Sequence, residues 1–125
     1  MSRNILLIED NEQNRYLASF LLEQRGYAVV HAHDGTSALA HVQAATPDLI
    51  LLDIQLPGMD GYAVARALRA LTGALVVPIV AVTSYAMVGD REKALGAGCD
   101  GYLEKPIDPA TFVDDIERCA GWGVE

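Results

Sequence analysis

Asp48-Leu49-Ile50-Leu51-Leu52-Asp53 decides the reading of this chain. Four consecutive aliphatic residues bracketed by carboxylates cannot be a strand with one wet face, which would alternate apolar and polar positions. The run is that of a strand buried on both faces, the habit of parallel sheets covered by helices. Working outward, Gln55 to Asp60 contains Pro57-Gly58 and predicts a loop. Gly61 to Leu71 carries Val64, Ala67, Leu68 and Leu71 on one helical stripe. On the other side, Pro47 closes a helix whose apolar positions are Ala38, Leu39, Val42 and Ala45. Asp34-Gly35-Thr36-Ser37 supplies its N-terminal cap chemistry.

The same alternation extends to both termini. Ile5-Leu6-Leu7-Ile8 is a second fully apolar strand. It is followed by a helix over Glu12 to Arg25 with Leu17, Phe20, Leu21 and Gln24 at helical spacing and Gly26 as its C-terminal cap. Tyr27 to His31 predicts the next strand. Val76 to Val82, with Pro78 near its start, predicts another, and Gly101-Tyr102-Leu103 a brief last one. Met87 to Ala97, closed by Gly98, and Pro109 to Ala120, with Asp108 as cap, Pro109 at its first position and Phe112, Val113, Ile116 and Cys119 along one face, complete the helices. Five strands alternating with five helices give an α/β fold: a doubly wound parallel sheet covered on both faces. An order of 2-1-3-4-5 would put the Asp48–Asp53 strand at its centre, and ligands in such sheets sit outside the C-terminal strand ends.

Those ends carry chemistry. The first strand runs into Glu9-Asp10, the third into Asp53, the fourth into Thr83, and Lys105 follows the fifth. Each alone is an ordinary polar residue where a chain meets water, but the apolar strands behind them put all five on one rim. Three carboxylates at close range repel one another unless a cation intervenes. Hard oxygen donors with no His or Cys pattern nearby favour Mg²⁺. A carboxylate beside such a cation is a competent nucleophile toward a phosphoryl donor. Lys105 can hold a phosphoryl oxygen as a point charge and Thr83 can donate a hydrogen bond to another. Asp53, on the central strand between Asp10 and Thr83, is the expected acceptor.

Residue by residue, the chain resembles the receiver domain of two-component response regulators. The resemblance rests on Glu9-Asp10-Asn11, Asp48 to Asp53 continuing through Leu56-Pro57-Gly58-Met59-Asp60-Gly61, Val82-Thr83-Ser84, and Gly98-Cys99-Asp100-Gly101-Tyr102-Leu103-Glu104-Lys105-Pro106. It covers essentially the whole chain and implies a flavodoxin-like receiver fold over 1–120 with a short tail at 121–125. By that resemblance Asp53 is the phosphoacceptor, and Glu9, Asp10, Asp53 and the backbone carbonyl of Gln55 hold Mg²⁺. Asp is common at the first acidic position, and Glu9 is a frequent variant of it. Thr83 and Tyr102 match the switch pair, Lys105 precedes a cis proline bond, and Gln55 and Tyr85 occupy positions that tune how fast the acyl phosphate hydrolyses. The small Ser84 leaves the acceptor reachable.

The same resemblance implies a phosphorelay protein. It would receive its phosphoryl group from a histidine kinase or a histidine phosphotransfer protein and act on a downstream protein target. It would assist its own phosphorylation and dephosphorylation and have no separate substrate, so it is not expected to be an enzyme. The output surface would be the fourth helix, fifth strand and fifth helix, with Tyr85, Met87, Tyr102 and Phe112 as reporters. Glu9-Asp10-Asn11-Glu12, Asp53-Ile54-Gln55-Leu56-Pro57 and Ala86-Met87-Val88-Gly89-Asp90 are similar to stand-alone regulators of bacterial cell division and polarity. The alternative is a receiver excised from a hybrid histidine kinase. An aspartyl phosphatase or phosphotransferase is disfavoured because that class wants a second Asp where Gln55 stands. A flavodoxin-like cofactor binder is disfavoured because no Ser/Thr-rich phosphate loop follows the first strand.

Composition excludes other classes. Nine basic against 17 acidic residues give a formal charge of -8, so direct DNA binding, which needs clustered Lys and Arg, is not expected. Cys99 and Cys119 lie in no metal-binding spacing and read as reduced thiols. His31, His33 and His41 are scattered and read as surface or structural. No apolar run approaches the roughly 20 residues of a membrane span, and the N-terminus has no signal-peptide pattern, so a cytoplasmic location without membrane insertion is expected.

Overall fold

The structure is a computed structural model, and residues 3–56, 58, 60–72, 77–84 and 88–122 are described. In chain order the elements are β1 (Asn4–Ile8), α1 (Glu12–Gln24), β2 (Ala28–Ala32), α2 (Gly35–Ala44), β3 (Leu49–Asp53), α3 (Gly61–Thr72), β4 (Ile79–Thr83), α4 (Asp90–Gly96), β5 (Gly101–Glu104) and α5 (Phe112–Ala120). The strands form one parallel sheet in the order β2-β1-β3-β4-β5, as expected, with β3 at its centre.

The period of two along each strand splits the core into two layers. Leu6, Ile8, Ile50, Leu52, Ile79 and Ala81 face one way, against Ala38 and Val42 of α2, Val64, Ala65 and Leu68 of α3, and Ala94 of α4. Ile5, Leu7, Leu49, Leu51, Val80 and Val82 face the other way, against Ala18 and Leu22 of α1 and Phe112, Val113 and Ile116 of α5. All five residues of β3 and of β4 are buried, so any polar group at their ends is held by a stiff apolar scaffold.

Several boundaries and faces differ from the sequence reading. α1 buries Ala18, Ser19 and Leu22 rather than Leu17, Phe20, Leu21 and Gln24. Apolar residues encircle this helix, so spacing alone does not choose a face, and the smaller side chains allow close approach to the sheet. Phe20 is 47% exposed, and Tyr16 lies stacked on it with ring centroids 6.4 Å apart. On α3, Leu71 is exposed and Thr72 takes the buried position, its hydroxyl donating to the Arg69 carbonyl at 3.0 Å. α4 begins at Asp90 because Val88-Gly89 form a turn, with Gly89 at φ 93°; Tyr85, Ala86 and Met87 lie outside the described residues, as does Val76. α5 begins at Phe112 rather than Pro109. The Asp108 side chain accepts from the Ala110 amide at 3.0 Å and its carbonyl accepts from Thr111 at 3.1 Å, a local turn that outcompetes a helical start. β2 begins one residue later than expected and β4 runs from Ile79 to Thr83.

Beyond α5, Gly121 adopts φ 74° and Trp122 folds back, its amide donating to the Glu117 carbonyl at 2.9 Å. The Trp122 ring lies 5.6 Å from that of Tyr27 and under the Arg3 guanidinium at 4.1 Å. At the same end of the sheet, Arg69 donates to the carbonyls of Gly98 and Val77 and to Asp100. Asp100 in turn accepts from the Ile79 amide at 2.9 Å. These contacts fix the edge opposite the acidic rim.

Candidate functional site

The C-terminal ends of β1 and β3 are adjacent, with Ile8 in register with Leu52, so the residues that follow are brought side by side. Glu9 is 4% exposed and Asp53 5% exposed, while Asp10 is open to solvent. One carboxylate oxygen from each of Glu9, Asp10 and Asp53 lies within 4.8 Å of the others. Lys105 reaches in from beyond β5. Its ammonium stands 2.9 Å from Glu9 Oε1 and 3.2 Å from Asp53 Oδ2, and the Lys105-Pro106 bond is cis.

The remaining oxygens are held by backbone. Asp53 Oδ1 accepts from the Gln55 amide at 2.9 Å, and Glu9 Oε2 accepts from the Asn11 amide at 3.2 Å. Asn11 also caps α1 through the Asn14 amide at 2.9 Å, which sets the direction of the chain leaving the rim. Gly61 has a specific purpose here. A Cβ at that position would meet the Ile54 carbonyl oxygen at 2.4 Å and its Cα at 2.6 Å, so only glycine lets α3 start against the backbone that follows Asp53.

The electrostatics call for more positive charge. Three carboxylates face one ammonium, a deficit of two charges. Burial, reinforced by the neighbouring Asp53 and opposed by Lys105, pushes the Glu9 carboxyl up to about 7. Burial works against the Lys105 ammonium, yet Glu9 and Asp53 together hold it above its usual value. Hard oxygen donors, a net negative balance and one solvent-open carboxylate fit a divalent cation such as Mg²⁺.

Thr83, 1% exposed at the end of β4, joins the site through Gln55. The Gln55 carboxamide donates from Nε2 to Thr83 Oγ1 and accepts the Ser84 amide on Oε1 at 2.8 Å. Tyr102 lies on β5 in register with Ala81, its ring partly buried against the layer containing α3 and α4. Its hydroxyl is buried without a partner among the described residues. Burial, with Asp90 and Glu104 adding, raises its pKa.

The structure therefore brings Glu9, Asp10, Asp53, Lys105, Thr83 and Gln55 together. Tyr102 stands one strand away, and Tyr85 lies outside the described residues. Phe112 is a correction: it is buried in the opposite layer, against α1 and the sheet, and does not present a reporting surface. Two features escaped the sequence reading. The side chain of Gln55 ties β3 to β4, and Lys105 approaches Glu9 more closely than it approaches Asp53. Neither leaves a periodic signal. Gly61 did leave one, a glycine in the first position of a helix, whose purpose is visible only with Ile54 against it.

Comparison with known proteins agrees with this fold. The model of the response regulator receiver domain matches residues 5–117. The polar-differentiation response regulator DivK of Brucella ovis is 37% identical over 121 residues, 97% of this chain and 98% of that protein. Among solved structures, the chemotaxis protein CheY4 of Vibrio cholerae is similar with a TM-score of 0.88 at 29% identity, covering 95% of this chain and 99% of that one. The receiver domain of the sensor histidine kinase PA1611 of Pseudomonas aeruginosa, solved with a magnesium ion coordinated in the active-site cleft, has a TM-score of 0.84 at 38% identity. That match covers 97% of this chain and 99% of the other.

Proposed function

The chain belongs to the response regulator receiver family, and on that basis we propose that it is a single-domain phosphorelay regulator whose phosphoacceptor is Asp53. The observation that carries this reading is the state of the Asp53 carboxylate. It is buried, held on one oxygen by the Gln55 amide and on the other by Lys105, beside two further carboxylates. In the proposed reaction an Asp53 oxygen attacks the phosphorus of a phosphohistidine on a kinase or phosphotransfer protein. The new P–O bond forms as the P–N bond breaks, and the leaving imidazole takes up a proton. Hydrolysis later returns the carboxylate and inorganic phosphate.

Each neighbour has a part that its position supports. Glu9, Asp10, Asp53 and the Gln55 carbonyl would hold Mg²⁺, which when bound supplies positive charge to the phosphoryl oxygens. Lys105 moves with one phosphoryl oxygen as a point charge, and the Thr83 hydroxyl donates to another. Gln55 and Tyr85 set how long the acyl phosphate lasts. Tyr102 responds to the movement of Thr83, and the surface of α4, β5 and α5 passes the change to a protein target. Direct DNA binding is not part of this role. Among the described residues, no helix is long and apolar enough to cross a membrane.

A stand-alone regulator is favoured because DivK matches over 98% of its own length. The receiver of a hybrid kinase is the second reading, supported by the 38% identity to the PA1611 receiver. The test is incubation with Mg²⁺ and acetyl phosphate followed by intact mass. One phosphoryl group is expected on the unmodified chain and none on Asp53→Asn; an equal gain in both would refute Asp53 as acceptor.

A further inference from the structure

Gln55 makes more contacts than any loop residue of the rim needs in order to position a backbone. Its amide holds Asp53 Oδ1, its Nε2 donates to Thr83 Oγ1, and its Oε1 receives the Ser84 amide. One side chain thus spans the gap between the β3 and β4 ends and fixes two consecutive residues of the segment that leaves β4. Thr83 is buried, and the β4 strand behind it is buried throughout. Movement at this point is therefore movement of the Thr83 side chain and of the chain beyond it, the two groups that Gln55 grips.

We propose that the Gln55 carboxamide is a latch that holds the Thr83 hydroxyl and the Ser84 amide in their resting positions and must release them for the site to close on a phosphoryl group. This rests on the reading of the chain as a receiver with Asp53 as acceptor. It assigns Gln55 a positioning role exerted through Thr83, separate from its backbone carbonyl near the metal and from any effect on hydrolysis. Phosphorylation then has to break two side-chain hydrogen bonds, one neutral N–H···O to a hydroxyl and one from a backbone amide. The phosphoryl group offers new acceptors in return, so the latch opposes activation without preventing it.

Replacing Gln55 by Leu keeps the volume and the backbone carbonyl and removes both bonds. The probe is beryllium fluoride with Mg²⁺, a non-hydrolysing phosphoryl mimic, with affinity read by titration of backbone amide resonances. Losing the net worth of one neutral hydrogen bond corresponds to about fivefold in an equilibrium constant. Gln55→Leu removes both bonds, so the expected result is up to about 25-fold tighter binding, with the Ser84 amide shifted upfield in the resting protein. In a Thr83→Ala background only the Ser84 bond is left to remove, and Gln55→Leu should then tighten binding by no more than about fivefold. Gln55→Asn, one methylene shorter, should behave like Leu, whereas Gln55→Glu, which can still accept from both Thr83 and Ser84, should retain the Ser84 amide position.

Equal affinity in Gln55→Leu and the parent would overturn the latch while leaving the receiver reading intact. The same gain with and without Thr83 would also overturn it, since the effect would not pass through the threonine. If the parent protein binds no beryllium fluoride and takes no phosphoryl group, the receiver reading fails and the latch with it.

Discussion

Replacing Lys105 by Met tests whether the rim is held together by charge. The side chain is nearly fully buried between Glu9 and Asp53, at 2.9 and 3.2 Å, and Met matches its length without its charge. Removing one member of a buried ionic cluster leaves the others uncompensated, a loss of about 3–5 kcal/mol when they cannot neutralise. Here Glu9 can, because burial already holds its carboxyl at about 7. The sign follows from that displacement. A carboxyl raised from 4.5 to about 7 on folding contributes stability that is present below pH 4.5 and lost as pH rises to about 7. The Met variant, lacking the ammonium that opposes this rise, should suffer most where Glu9 must ionise. We expect a loss of about 3 kcal/mol at pH 8 and about half of that at pH 5.5 in metal-free buffer. Urea unfolding with a slope of about 2 kcal/mol/M would show this as a midpoint lower by about 1.5 M at pH 8. Mg²⁺ puts positive charge among the same oxygens and should restore most of the loss, since a ligand at a hundred times its Kd stabilises by about 2.7 kcal/mol. Lys93→Met, on the exposed face of α4, should change stability by less than about 0.5 kcal/mol. A Lys105→Met variant equally destabilised at both pH values, or indifferent to Mg²⁺, would refute an electrostatic role and leave only packing.

Gly61→Ala should cost about 1–2 kcal/mol in urea unfolding, overpacking against the Ile54 backbone outweighing about 1 kcal/mol of gained helix propensity. It should also slow acetyl phosphate labelling by displacing the Gln55 amide from Asp53. Tyr27→Phe removes the 2.5 Å bond from the Tyr27 hydroxyl to Glu117, for a loss of about 1.5 kcal/mol at neutral pH. Because burial and Glu117 push the Tyr27 hydroxyl up to about 12, the parent's stability should also fall as pH rises from 10 toward 12, and this part of the fall should be absent from the Phe variant. Tyr102→Phe removes a buried hydroxyl that has no partner among the described residues and should raise the thermal midpoint of the resting protein, a gain of about 1 kcal/mol.

The sheet and the rim were legible because they rest on contiguous signals. Leu49 to Leu52 and Ile5 to Ile8 have no polar interruption, and each run ends in the carboxylates that the sheet then brings together. What was not legible depends on choices among equivalent local patterns. α1 offers apolar side chains all round, and only the packed sheet selects Ala18 and Leu22 over Leu17 and Phe20. Asp108-Pro109 satisfies the rules for a helix start, yet the Asp108 carboxylate bonds forward to Ala110 and delays the helix to Phe112. Phe112 was placed on the output surface because it lies on the fifth helix, one of the elements of that surface, but α5 turns that ring inward. The reach of a side chain such as Gln55 across to a neighbouring strand is set by distance in space, which no spacing along the chain encodes.

The inward turn of Phe112 also bears on the direction in which a signal can leave the rim. Thr83 follows Val82, whose side chain belongs to the layer with α1 and α5, so Thr83 itself projects toward the layer with α3 and α4. Tyr102, in register with Ala81, packs into that same layer. On the proposed reading, a displacement of Thr83 passes into the layer that holds Tyr102 and α4, and reaches Phe112 only across the sheet. α4 is suited to receive it unevenly. It buries Ala94 alone, starts at Gly89 without a side-chain cap, and is tied to α3 at that end by a long 3.3 Å bond from the Tyr62 hydroxyl to Asp90. Its other end is anchored where Arg69 donates twice to the Gly98 carbonyl. With Thr83 and Tyr102 as the proposed switch, movement of α4 should be smallest at its anchored Gly98 end. Amide shift changes on beryllium fluoride binding should then be smaller at Gly96 and Gly98 than at Asp90 and Arg91.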